Sequence, residues 1–219
     1  MIKRAINKAC KLLMAFPRKM YYKKKIKQLE NKDFTIIANN CFATFIYHDL
    51  GLRFNSPTIN LFFHENRDFI EFAANLKEYL AVELVEVHGH DKKYPVGTLT
   101  YNGYTVTLNF MHYHSFEEAK AKWDERKKRV NYDNIFLVLM TGRTTTQEIA
   151  DSFAALPYKN KMMISGKTDV DCKHIVKHPV FDKPDYKNGE LFQHKSLFSL
   201  DRHMDDIDYI GFLNGKYSD

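Results

Sequence analysis

Apolar residues at Ile2, Ala5, Ile6, Ala9, Leu12, Leu13 and Phe16 recur every three or four positions, which predicts an amphipathic helix. Beyond Pro17 and a run of lysines the pattern changes. Phe34–Ala38 is a short unbroken apolar run, predicting a buried strand, followed by an Asn39-Asn40 turn, a short helix and a second apolar strand over Thr58–Phe63. Asn66 or Asp68 opens a helix to Leu80, with Phe69, Phe72, Ala73, Leu76 and Leu80 on its core-facing stripe. Val82–Val87 alternates as a strand does. Gly97–Tyr101 and Tyr104–Phe110 flank Asn102-Gly103, the pair that a type I′ hairpin requires.

Ser115-Phe-Glu-Glu118 reads as a capping box for a helix to about Arg129, and Thr145-Thr-Gln-Glu148 as a second, for a helix ending near Leu156-Pro157. Between them Ile135–Met140 is apolar throughout, as a central parallel strand would be, and Lys161–Ser165 is another short strand. Asp205–Leu213 predicts a last short helix, ended by Asn214-Gly215. This alternation of strands and helices predicts an α/β fold with a mixed, mostly parallel sheet and an antiparallel hairpin inserted near 97–110. At 219 residues the chain divides into a helical segment over 1–30 and a single α/β domain over 31–219.

Charge alters the picture at one end only. Residues 1–27 carry ten Lys or Arg and no acid, which leaves 23 of the 33 basic residues against all 27 Asp and Glu, a net charge of −4 for the rest. That split disfavours nucleic acid as a partner of the domain, because a binding face needs clustered positive charge. The basic amphipathic N-terminus suits an anionic membrane surface, or alternatively packs on its own domain with a solvated basic face. No apolar run is long enough to span a bilayer, and none resembles the hydrophobic region of a signal peptide. Cys10, Cys41 and Cys172 have no CxxC spacing and make no disulfide framework, which fits a cytoplasmic location.

Candidate chemistry falls at the ends of predicted strands. Asn39, Asn40 and Cys41 lie where a strand hands over to a helix N-terminus, and Arg143, Ser165 and Lys167 follow two further strands. If those strands are parallel, amides, a thiol and two cations share one edge, a setting for a sugar or sugar phosphate. Cys41 is the candidate nucleophile, with His112 or His48 as its base; the hairpin leaves open which edge His112 and His114 occupy. The alternative roles are capping for Asn39 and Asn40, and plain packing for Cys41. Trp123 is either a core aromatic or a sugar-stacking platform. His88/His90/Asp91, His112/His114 and His174/His178 have zinc-like spacings, but no set of three or four ligands emerges, so no cofactor or metal is assigned. Asp169-Val-Asp171 has the form of a transferase Asp-x-Asp, a pattern that Asp206-Ile-Asp208 repeats by chance.

Ile37-Ala-Asn-Asn-Cys41, Gly51-Leu52-x-Phe54-Asn55-Ser56-Pro57-Thr58, Tyr94-Pro-Val-Gly97, His112-Tyr113, Trp123-x₂-Arg126-x₂-Arg129-Val-Asn131 and Leu156-Pro-Tyr-Lys159 together resemble a bacterial family labelled exopolysaccharide or capsular polysaccharide biosynthesis proteins. The resemblance runs from about Phe34 to Leu213 and thins after Ser165. It implies a three-layer α/β/α sandwich and a role in cell-surface polysaccharide assembly, with no catalytic residues to carry over. The leading expectation is a cytoplasmic, membrane-peripheral protein of transferase type that handles a sugar or sugar phosphate. A non-catalytic carbohydrate-binding or scaffolding module is the second, and a cysteine-dependent hydrolase or acyltransferase the third.

Overall fold

The computed structural model describes the backbone of residues 2–217, with side chains at 10 and 12–217. Four strands, β1 (Thr35–Ala38), β6 (Ile135–Gly142), β7 (Asn160–Ser165) and β8 (Ile175–Lys177), form a wholly parallel sheet in that order. Between β1 and β6 the chain builds β2 (Phe62–Phe63), β3 (Val85–Glu86), β4 (Val96–Tyr101) and β5 (Tyr104–Asn109), an antiparallel sheet ordered β2-β5-β4-β3. The expected hairpin is therefore present, but in a sheet of its own rather than inserted among the parallel strands. Its turn has φ 48° at Asn102 and 78° at Gly103, left-handed at both positions as type I′ demands.

Alternation along the parallel strands sends successive side chains to opposite faces. Ile36, Ala38, Phe136, Val138, Met162 and Ile164 face a core built with α2 (Phe42–Asp49), α7 (Tyr209–Leu213) and Tyr22 of α1 (Ile2–Lys25). Ile37, Ile135, Leu137, Leu139 and Met163 face the other core, with α3 (Asn66–Ala74), α4 (Leu76–Ala81), α5 (Phe116–Lys127), α6 (Gln147–Ala154) and the antiparallel sheet. Helices on both faces of a central sheet make the α/β sandwich. Tyr22 and Leu29, from the segment before residue 31, belong to the first core.

Three expected elements are shorter than their apolar patterns. The helix over 66–80 breaks at Asn75, whose Nδ2 donates to the Glu71 carbonyl (3.3 Å) and carboxylate (2.9 Å). Asparagine competes with the helix for backbone partners, which is why it ends one here. Val82–Val87 yields only β3. Thr58–Phe63 yields only β2, since its first residues run beside β1 and serve that edge: Thr58 Oγ1 accepts from the Ala38 N–H (3.1 Å) and the Phe63 N–H reaches the Asn39 carbonyl (2.9 Å). Tyr47 covers the rest, accepting from the Ile36 N–H and donating to the Phe34 carbonyl. An exposed edge strand invites mispairing, and here side chains and the following loop close it.

Ser115 caps α5 by accepting from the Glu118 N–H. The α6 cap is Thr146 rather than Thr145, accepting from the Ile149 N–H, which frees Thr145 to face the sheet. Among the described residues no helix is long and apolar enough to cross a membrane.

Candidate functional site

Because β1, β6 and β7 are parallel, the residues following them do share one edge. The order of these strands follows the chain without reversal, however, so this sheet has none of the crevice that a reversal of strand order opens. The Asn39 side chain is buried and grips β6: Oδ1 accepts from the Met140 N–H (2.9 Å) and Nδ2 donates to the Met140 carbonyl (3.0 Å). Asn40 Oδ1 accepts from the Phe42 N–H (3.0 Å), an Asx turn that starts α2. Asn40 thus takes the turn-fixing role, whereas Asn39 ties β1 to β6 instead.

Cys41 begins α2 but is not an activated thiol. It is 6% exposed, and burial pushes its pKa up to about 11, overriding the helix N-terminus that would favour a thiolate. His112 is exposed, and among the described residues it makes no hydrogen bond with Cys41. The expected nucleophile and base are therefore not paired. The turn over 111–114 does reach this corner, settling which end it occupies, but it delivers Tyr113. That hydroxyl donates to the Ile59 carbonyl (3.0 Å) and accepts from Arg126 (2.5 Å). Burial raises the Tyr113 pKa, the Arg126 cation opposes the rise, and a Cys41 thiolate would add to it. Arg126 is itself buried and stands over the Phe54 ring, 5.1 Å from its centre. The sequence marks Arg126 only as part of the Trp123-x₂-Arg126-x₂-Arg129 pattern and not as a buried group, because an arginine on a helix reads as a solvated one.

At the ends of β6 and β7 a chain of hydroxyls joins Thr141, Thr145 and Ser165, with oxygens 2.7 Å and 2.6 Å apart. Arg143 leaves this row and clamps the segment after β8, donating to the Phe181 and Lys183 carbonyls and lying over the Tyr186 ring. Lys167 is exposed, and its backbone N–H donates to Asp182 (2.7 Å) in the same segment. Arg143 and Lys167 are thus brought together by residues 181–183, and separated from the Asn39–Cys41 turn in what they contact.

That segment borders a cavity of about 330 Å³ lined by Lys183, Lys187, Lys195, His194 and His203, with Asp185 and Glu190. Lys183 pairs with Glu190 (2.7 Å), and Lys195 with Asp201 (2.8 Å) and Asp206 (2.5 Å), whereas Lys187 forms no ion pair among the described residues. Burial lowers the pKa of both His194 and His203. A larger cavity, about 530 Å³, opens at the opposite, amino end of the sheet between Asn31, Tyr132, Asn134, Tyr158 and Asn214. Its amides hold the surrounding loops together: Asn214 accepts from the Glu30 N–H, and Asn134 donates to Asn31. Trp123 is core, 1% exposed against Phe72, and offers no stacking platform. Asp169 and Asp171 are exposed, and among the described residues no group of three His, Cys, Asp or Glu is placed to hold a metal ion.

An uncharacterized protein of Haemophilus influenzae is 34% identical over 188 residues, covering 86% of this chain and 87% of its own length. The family described as "Domain of unknown function (DUF1919)" matches residues 13–214, from the middle of α1 through α7. The chain belongs to that DUF1919 family.

Proposed function

We propose that the chain is a cytoplasmic protein of cell-surface polysaccharide assembly that binds a sugar phosphate on the carboxyl side of its parallel sheet. The observation that carries this reading is the cavity beside the Arg143 clamp, where three lysines, two histidines, Asp185 and Glu190 surround a space large enough for a phosphorylated sugar. Lys187, which forms no ion pair among the described residues, supplies positive charge of the kind that binds phosphate. The resemblance of its residue patterns to polysaccharide-biosynthesis proteins supports the biological setting.

The buried, protonated Cys41 favours binding or non-covalent transfer over a thiol mechanism, and keeps the carbohydrate-binding module as a second reading. Thermal shift across nucleotide sugars and sugar 1-phosphates tests both. A donor that raises the melting temperature of the wild type but not of Lys187→Glu supports the site, and the absence of any shift across the panel rejects it. Turnover of the stabilising donor then separates transferase from binding module.

A further inference from the structure

Among its described side chains, helix α1 packs on the domain by one face. Arg18, Tyr22 and Lys25 lie on that face, at spacings of four and three: Arg18 donates to the Ser199 (3.0 Å) and Leu197 (2.9 Å) carbonyls, Tyr22 to Asp205 (2.8 Å), and Lys25 pairs with Asp205 at 2.5 Å. Phe16 and Met20 each stand two residues from Arg18, about 200° around the helix. They fall with Leu12 and Leu13 on the side turned away from the domain. These four are 70%, 71%, 71% and 40% exposed in the order Leu12, Leu13, Phe16, Met20. An apolar stripe on the outer face of a helix is the reverse of what core packing produces.

A second exposed apolar group accompanies it. Leu197, Phe198 and Leu200 are 42%, 66% and 39% exposed, on the loop whose carbonyls Arg18 holds against the helix flank. The helix group sits in the most basic part of the chain, with ten Lys or Arg and no acid in residues 1–27, and Arg18 brings the loop group beside it. A second copy of the helix would bring like charge against like, so self-association through this stripe is opposed electrostatically. An apolar stripe flanked by lysines, too charged to cross a bilayer, matches an anionic membrane surface instead.

We infer that the outer face of α1, through Leu12, Leu13, Phe16 and Met20, together with the loop carrying Phe198, docks the chain on an anionic phospholipid bilayer. The helix lies in the headgroup layer and the lysines meet the lipid phosphates. Arg18 and the Lys25–Asp205 pair fix the domain to the docked helix, so the domain is held against the membrane rather than tethered at a distance. This surface stands on its own observations and does not depend on the sugar-phosphate site.

Co-sedimentation of the full chain with phosphatidylcholine vesicles, with and without about 30% phosphatidylglycerol, tests the inference. The wild type should bind the anionic vesicles about tenfold or more tightly than the neutral ones, and lose most of that preference in high salt. Leu13→Glu with Phe16→Glu should weaken anionic binding about tenfold or more, and Phe198→Asp several-fold, with melting temperatures unchanged because the positions are exposed. Three results would each overturn it: no binding of the wild type to anionic vesicles, equal binding by the double variant, or a chain that is dimeric in solution and becomes monomeric in that variant.

Discussion

Arg202 grips Asp49 with both arms of its guanidinium, Nε to Oδ2 at 2.6 Å and Nη2 to Oδ1 at 3.2 Å, across 153 residues of sequence. The two side chains are 14% and 7% exposed, and Arg202 also stacks on the Phe45 ring and donates to the Phe192 carbonyl. The bond joins the end of α2 to the segment that receives α1, so one pair holds three parts of the chain. Removing one partner leaves the other charged and buried. Arg202→Met should therefore lower unfolding free energy by about 3–5 kcal/mol. Adding Asp49→Asn should recover much of that loss. Urea unfolding of the two single variants and the double variant checks the coupling, and strictly additive losses would contradict it.

Asn39 is a structural clamp between β1 and β6. Asn39→Ala strands the Met140 N–H and carbonyl, for a loss of about 2–4 kcal/mol. Asn39→Asp keeps an acceptor for the N–H but sets a carboxylate against the carbonyl, so it should be at least as damaging near neutral pH. If Asn39→Ala instead removes ligand binding while leaving thermal stability intact, the residue is a ligand group and not a clamp.

Cys41 should be inert. Burial keeps it protonated, so alkylation of the native chain at pH 8 should label the half-exposed Cys172 well before Cys41. Cys41→Ala should cost modest stability and leave sugar-phosphate binding unchanged. Peptide mapping after brief iodoacetamide treatment gives the order of labelling, and prompt modification at Cys41 would restore the thiol mechanism.

His178 sets a pH dependence. Its Nδ1 accepts from the Val180 N–H (3.1 Å), so the ring is neutral with its proton on Nε2, directed at the His203 carbonyl (3.0 Å). Burial lowers its pKa below 6.5, outweighing that bond and Asp206. Above the unfolded value near 6.5 both states are neutral and the full stability is present. As pH falls below it the unfolded chain takes up the proton first, and stability declines until the folded ring protonates too. His194 and His203, also lowered, add the same sign, whereas Asp205 and Asp208 act only below about pH 3.8. Replacing His178 with Gln should flatten part of the loss in stability between pH 6.5 and 5, measured by thermal melts; an unchanged slope would contradict the assignment.

The elements that were legible in the sequence are those specified locally. Ile135–Met140 reads as a central parallel strand because it is apolar on both faces, and Asn102-Gly103 reads as a hairpin because few other pairs accept two left-handed residues. The division into two sheets was not legible, since it depends on β2 pairing with β5, Phe62 opposite Asn109 and Phe63 opposite Leu108, rather than extending β1. At the site, the position of each residue along its strand was legible and its contacts were not. Asn39, Cys41, Arg143 and Lys167 do follow parallel strands, but what each contacts is set by distant segments, Met140 for Asn39 and residues 181–183 for Arg143. The apolar period of α1 was plain. That its second half packs on the domain while Leu13 and Phe16 stay outside was hidden, because Asp205 and Ser199 lie about 180 residues away.

Isothermal titration with the sugar phosphate that best stabilises the chain tests the binding site most directly. Saturable 1:1 binding by the wild type, weakened about tenfold or more in Lys187→Glu while Asn40→Ala and Cys41→Ala bind as the wild type does, is the predicted result. Binding that survives Lys187→Glu and disappears with Asn40→Ala would move the site back to the turn after β1 and contradict the account.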